Sequence, residues 1–159
     1  MAPQPWTGKN PQWQHEEKSI QTDTPRTLIT GTTIFRVVGG PIIITQLMSY
    51  CVTSCDTTAA TFKWTADGDV GAATDFTGAT TSIASFAAGG VIYCNFATLA
   101  TAPVFTQTAG VALSGVSTTG VIVPAGIITT TIGSGPTTGT FLHYMRYTPM
   151  SPASYVLVA

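Results

Sequence analysis

The stretch from Thr33 to Thr53, TIFRVVGGPIIITQLMSYCVT, constrains the fold more than any other part of the chain. Ile34 to Val38 is β-branched and aromatic apart from Arg36, which predicts a strand. Gly39-Gly40-Pro41 breaks that run, because Gly admits positive φ at no steric cost and Pro41 has no N–H to give a ladder. The break is therefore a turn, a bulge or a corner. A second strand follows. Its three isoleucines, Ile42 to Ile44, predict burial on both faces, and the near-alternation through Gln46, Met48, Tyr50 and Val52 predicts burial on one.

No later segment carries a helical period to cover such strands, and strand signals instead recur at short spacing. Thr61 to Thr65 alternates, and Asp67-Gly68 after it is a hairpin signal. Val70 to Thr80, rich in Gly, Ala and Thr, reads as a loop. Ser82 to Phe86, Gly89-Gly90 and Val91 to Phe96 read as a hairpin, with weaker strands near Val104 and Val111. Val121 to Val123 reaches Pro124-Ala125-Gly126, Ile127 to Ile132 runs on, and Phe141 to Tyr147 is the last strong strand. The expectation is an all-β protein: a single antiparallel β-sandwich, jelly-roll-like or barrel domain over 27–159.

Residues 1–26 differ from the rest. They hold six of the thirteen charged side chains, four prolines and two tryptophans, Trp6 and Trp13. Such a polar, Pro-rich segment cannot bury enough apolar surface to fold alone, so it reads as an extended N-terminal arm. Either its indole rings pack back on the domain, or Trp6 and Trp13 anchor the arm in a partner's groove, as interface tryptophans commonly do.

Charge narrows the partners. Only 8% of residues are charged, against about 25% in ordinary soluble domains, and Thr makes up about a fifth of the chain. Strand faces that would carry Lys and Glu carry hydroxyls instead, which suits a protein living against neighbours. A net charge of −1 leaves no basic footprint for nucleic acid, and no apolar run has the length of a membrane span. The N-terminus lacks the apolar core of a secretory signal, and three cysteines fit a reducing compartment, so cytoplasmic synthesis is expected.

Candidate chemistry is thin. Asp67-Gly68-Asp69 lacks the alternating oxygen ligands and closing Glu of a calcium loop. Gly133-x-Gly135 is followed by Pro136 rather than a helix N-terminus, so it cannot cradle phosphate. A zinc site would need Cys51, Cys55 and Cys94 to converge with His15 or His143; buried thiols acting as small hydrophobes fit better. His143 alternates with Phe141, Met145 and Tyr147, the pattern of a packed histidine rather than a catalytic one. No cofactor, metal or catalytic residue is expected. Arg36 and Arg146 are the two guanidiniums inside strong strands; they point outward from a one-sided sheet or pair at a subunit contact.

In order along the chain, IFRVVGGPIIITQL, VPAGIITTTIGSGPTTG and LHYMRYTPM resemble the head decoration (cement) proteins of tailed bacteriophages. In that family a strand reaches a Gly-Gly corner, a later Val-x-Ala-Gly turn precedes a hydroxyl-rich strand, and Leu-Arg-Tyr-x-Pro-Leu closes the domain. Gly39, Gly40, Ala125, Gly126, Arg146, Tyr147 and Pro149 stand at matching positions. Met145 and Met150 replace Leu, and Phe141 or Leu142 replaces the usual Trp. Residues 55–115 have no counterpart in the resemblance. It implies a non-enzymatic structural protein, made in the bacterial host cytoplasm, that binds the major capsid protein on the capsid exterior as a homo-oligomer, usually a trimer. Two rivals stand beside it: a head-fibre or tail-fibre component, and a carbohydrate-binding β-sandwich, for which Trp64 and Asn95 are the residues on offer.

Overall fold

The computed structural model describes residues 16–94, 96, 104–106, 120–133 and 138–159, and all regular structure among them is strand. In chain order the strands are β1 (Lys18–Gln21), β2 (Arg26–Thr27), β3 (Thr32–Val38), β4 (Ile42–Thr53), β5 (Thr61–Gly68), β6 (Thr74–Asp75), β7 (Val91–Tyr93), β8 (Val104–Thr106), β9 (Val121–Val123), β10 (Gly126–Gly133), β11 (Thr140–Pro149) and β12 (Tyr155–Val158). They form two antiparallel sheets. One runs β1-β11-β4-β7-β8, with β2 also paired to β11 and β9 to β4; the other runs β12-β3-β10-β5-β6. The fold is an all-β, two-sheet arrangement of the sandwich type.

The Gly-Gly-Pro break is a corner between the layers, since β3 lies in the five-stranded sheet and β4 in the seven-stranded one. Gly39 has φ +77°, and a Cβ there would fall 1.9 Å from the Ala153 carbonyl oxygen. Only glycine both adopts that backbone and lets the turn before β12 pack directly on the corner. Pro124-Ala125-Gly126 is a second corner, taking the chain from β9 back to β10. At Gly126, φ +151°, a Cβ would lie 2.2 Å from the Asp67 carbonyl oxygen of β5.

Side chains from both sheets fill one apolar cluster. Phe35, Phe62, Trp64 and Ile128 come from the five-stranded sheet, and Ile42, Ile44, Leu47, Phe141 and Met145 from the other. Phe62 and Trp64, two apart in β5, meet edge to face at 4.7 Å. Each such side chain stabilises the fold by roughly 1.5–3 kcal/mol relative to exposure. Phe86 stacks beside Phe141, with centroids 6.0 Å apart, and closes the core beyond β4.

Several expectations are corrected. Ile42 and Ile44 are fully buried but Ile43 is only half-buried, because it points to the outer face beside Ile122 of β9. Asp67-Gly68 does not turn the hairpin: Gly68 pairs with Gly126 inside the sheet, and the return to β6 uses residues 69–73. Ser82 to Phe86 is not a strand. Ile83 and Phe86 are both buried at a spacing of three, Phe86 N–H donates to Ile83 O, and Ser85 takes φ +57°, which is a turn. Val91 to Tyr93 therefore pairs with β4 and β8 instead. The strand near Val104 is β8, while Val111 lies outside the described residues.

The described part of the arm lies on the sheet. β1 pairs with β11 from Lys18↔Tyr147 to Gln21↔Tyr144, and β2 continues along β11. Between them Thr22 is buried; its N–H donates to His143 O at 2.9 Å and its Oγ1 accepts from His143 N–H at 3.0 Å. Arg26 Nη2 donates to the carbonyl oxygen of Ala159. The boundary at Thr27 thus falls inside the sheet. The edge of β11 needs partners for its N–H and C=O groups, and a polar edge strand satisfies them while its side chains face water. Trp6 and Trp13 lie outside the described residues.

Candidate functional site

The two outer faces differ in chemistry. On the five-stranded sheet the outward residues of β5 are mostly hydroxyls and ions, while Ile127 of β10 and Tyr155 and Leu157 of β12 bring apolar groups to the same face. Lys63 Nζ contacts Asp75 Oδ2 at 2.6 Å, Thr65 Oγ1 donates to Asp75 Oδ1 at 2.8 Å, and Thr65 meets Thr131 at 3.2 Å. The ammonium beside Asp75 holds that carboxyl below its usual range, with the Thr65 hydroxyl adding to the effect. The β5–β6 end of this face is polar.

The outer face of the seven-stranded sheet is aromatic and apolar. β4 sends Ser49 and Cys51 inward and Tyr50 outward, with Met48 beside it; β11 sends His143 and Met145 inward and leaves Leu142 and Tyr144 part-exposed. Register aligns Gln21, Tyr144, Met48 and Tyr93 in one row across β1, β11, β4 and β7. Leu142, Tyr50 and Val91 form the next row. Tyr144, Tyr50 and Tyr93 are thus diagonal neighbours on three adjacent strands, a separation of about 7–8 Å per step. Gln21, Met48, Tyr50, Leu142 and Tyr144 line a shallow groove of about 360 Å³. Tyr50 is 44% exposed.

Arg146 lies at the end of this face. Its Nη2 contacts Glu17 Oε2 at 2.6 Å, and Glu17 also accepts from the Thr45 hydroxyl across β4. Arg36 lies on the opposite sheet, where its Nη2 meets Asp69 Oδ1 at 3.2 Å. Both guanidiniums point outward and are about half exposed, so each pair contributes little to stability. The structure does not bring Arg36 and Arg146 together.

A second cleft, about 270 Å³, opens at the Pro124 corner between Val70, Phe76 and Ile122. Its carboxylate, Asp75, is already held by Lys63 and Thr65. Inside the sandwich, Ser49 Oγ and His143 Nδ1 are 2.7 Å apart, both buried. Burial, with a smaller contribution from the nearby Arg26 charge, pushes the imidazole down to about 3, so it is neutral at physiological pH. A seryl nucleophile needs an acidic group to orient the imidazole and a route for substrate. This pair is enclosed, and its hydrogen bond joins β4 to β11.

Cys51, Cys55 and Cys94 are free thiols and buried. Among the described residues, no three His, Cys, Asp or Glu side chains gather where a metal ion would sit. Also among them, no helix is long and apolar enough to cross a membrane. Trp64, offered by the sequence as a sugar platform, is fully buried, and Asn95 lies outside the described residues. The tyrosine row escaped the sequence reading. Its signal is in β11: Phe141-Leu142-His143-Tyr144-Met145 carries large apolar groups at both parities, so its outer face is apolar too.

The class the fold and this site define is a two-sheet antiparallel β protein with a tyrosine-lined outer face on its seven-stranded sheet. No protein family, curated protein or solved structure matches the chain.

Proposed function

We propose that the protein is a non-enzymatic virion structural protein, one that docks on the outer surface of a bacteriophage capsid and stabilises it as a homo-oligomer, with a trimer the expected order. The observation that carries this reading is the cluster of aromatic and apolar side chains on the outer face of the seven-stranded sheet. A row of Tyr144, Met48 and Tyr93 beside Tyr50 and Leu142 is suited to bury against protein, whereas the Thr65–Thr131–Asp75 patch on the other sheet is suited to water. Aromatic residues and Met are enriched, and charges depleted, at the centres of such contacts. The resemblance adds support, because its Gly39-Gly40 and Ala125-Gly126 positions are the two corners that hold the sheets face to face. Contacts that exist only in the closed shell lower its free energy relative to its parts, as any native-state ligand does. Trp6 and Trp13 are the arm's anchors on the major capsid protein in this reading, and Arg36 and Arg146 are candidates for subunit contacts.

Sedimentation of the purified protein, then co-pelleting with capsids that lack it, tests the proposal. A trimer that saturates the shell is expected; a protein that neither self-associates nor pellets with capsids would overturn it.

One observation favours a second reading, glycan binding. Three tyrosines on adjacent strands beside Gln21 present flat rings and hydrogen-bonding groups on one exposed face. Affinity electrophoresis in gels holding neutral polysaccharides separates the readings: retardation that Tyr50→Ala abolishes would favour a sugar-binding module over a cement protein.

A further inference from the structure

We propose that the outer face of the five-stranded sheet makes a two-fold contact with a second copy of this chain, centred on Ile127 with Arg36 and Asp67 on either side. The contact rests on the homo-oligomer reading but not on capsid docking, and it lies on the sheet opposite the tyrosine groove.

Register places four outward side chains in one row across adjacent strands. Leu157 of β12 is opposite Arg36 of β3, Arg36 is opposite Ile127 of β10, and Ile127 is opposite Asp67 of β5. Directly paired residues project from the same face of a sheet, and exposed Arg36 is flanked along β3 by buried Phe35 and Val37. Neighbouring strands lie about 4.8 Å apart, so Arg36 and Asp67 stand about 5 Å to either side of Ile127. Leu157 is 47% exposed; Tyr155, at 45%, extends the apolar strip beside Val38.

The order of the row, cation then apolar group then anion, is self-complementary. Arg36 already meets Asp69 through Nη2 at 3.2 Å, with both side chains about half exposed. A guanidinium carries five N–H donors in a planar fork, so it can hold that carboxylate and a second one. Asp67 is exposed and, among the described residues, has no ion-pair partner. A two-fold axis in the plane of the contact, parallel to β10 and passing over Ile127, exchanges the ends of the row. Each Arg36 then faces the partner's Asp67, and the two Ile127 side chains meet on the axis. An axis along the row would instead set Arg36 on Arg36 and Asp67 on Asp67, so charge selects the first arrangement. The patch is small, so the contact is weak and fills as protein concentration rises. It pairs whatever unit already exists: monomers become dimers, and trimers become hexamers.

The test is the sedimenting mass of the full chain from micromolar to near-millimolar concentration. The mass should double toward the upper end. Arg36→Asp and Asp67→Arg should each weaken that doubling at least about tenfold, and the two together should restore it. Arg36→Asp alone and the combined variant both lack the Asp69 bridge, so the difference between them reads the contact between copies. A second measurement uses an added thiol, since the three native cysteines are buried. Packed sheets lie about 10 Å apart, so a short bismaleimide should join two chains of Ile127→Cys across the axis. Leu157→Cys is more exposed, but its two copies stand about 20 Å apart across the axis and should not be joined. A mass that never doubles, doubling that survives both single charge reversals, a combined variant that stays undoubled, or equal cross-linking at 127 and 157 would each overturn the proposal. A trimer of fixed mass would remove this contact and leave the homo-oligomer reading standing, whereas a monomer at every concentration would remove both.

Discussion

The Ser49 hydroxyl and the His143 imidazole meet 2.7 Å apart inside the sandwich and tie its two longest strands, β4 and β11, side chain to side chain. His143 also exchanges backbone and side-chain hydrogen bonds with Thr22, between β1 and β2. His143, its ring on Ser49 and its backbone on Thr22, thus joins three segments far apart in sequence.

That arrangement makes the fold acid-sensitive. The His143 pKa is lowered to about 3 from an unfolded value near 6.5. Above about pH 6.5 both states hold a neutral ring and the shift has no effect. As pH falls below that, the unfolded chain takes up a proton that the folded one refuses, and stability falls by up to about 1.4 kcal/mol per pH unit. The melting temperature should drop between about pH 6.5 and 5, above the range where carboxylates titrate. A His143→Gln variant should be less stable at neutral pH but lose that slope.

Substitution at the first corner should be severe. Gly39→Ala places a methyl group on the Ala153 carbonyl at positive φ and should cost about 3 kcal/mol or more in denaturant unfolding. Gly31 has φ +80° with nothing within 4 Å of its would-be Cβ, so Gly31→Ala should cost only about 1 kcal/mol. Equal losses at both sites would mean that backbone conformation alone, not the close approach, sets the requirement.

Two truncations separate the arm's roles. Deleting residues 1–26 removes β1 and half of β2, bares the β11 edge and takes from the His143 backbone its partner Thr22, so the melting temperature should fall clearly. Deleting residues 1–15 leaves those contacts intact and should change stability little. In the capsid reading, the shorter deletion abolishes binding. Trp6→Ala and Trp13→Ala should then each weaken it by about 30-fold, for roughly 2 kcal/mol per ring. Unaltered capsid binding after the shorter deletion would move the contact to the sheet.

The aromatic face should behave as a contact surface rather than as core. Tyr50→Ala and Tyr144→Lys should shift stability by less than about 1 kcal/mol, as outward positions do, yet lower oligomer content or capsid binding at least tenfold. Changes confined to stability would remove the face from the functional argument.

Arg36→Ala should alter unfolding free energy by less than about 1 kcal/mol, since its bond to Asp69 is half exposed and screened by solvent. A larger loss on dilution through the oligomer's dissociation range would instead place Arg36 at a subunit contact.

What the chain determined by itself is local. Ile34 to Val38 and Ile42 to Thr53 were legible as strands because side-chain period and β-branching act within a few residues, and Gly39-Gly40-Pro41 was legible as a break because φ is a property of single residues. The turn at Ser82 to Phe86 was misread as a strand since five residues with two apolar groups fit either period. Residues 18–21 looked like tail because an edge strand facing water has a tail's composition, and only the open edge of β11 makes them a strand. Tertiary structure alone decided that β3 and β4 enter different sheets, that Tyr144, Tyr50 and Tyr93 share one face, and that Ser49 meets His143. Those relations depend on register between strands up to about a hundred residues apart, and register is set by how the whole core closes, not by any one segment.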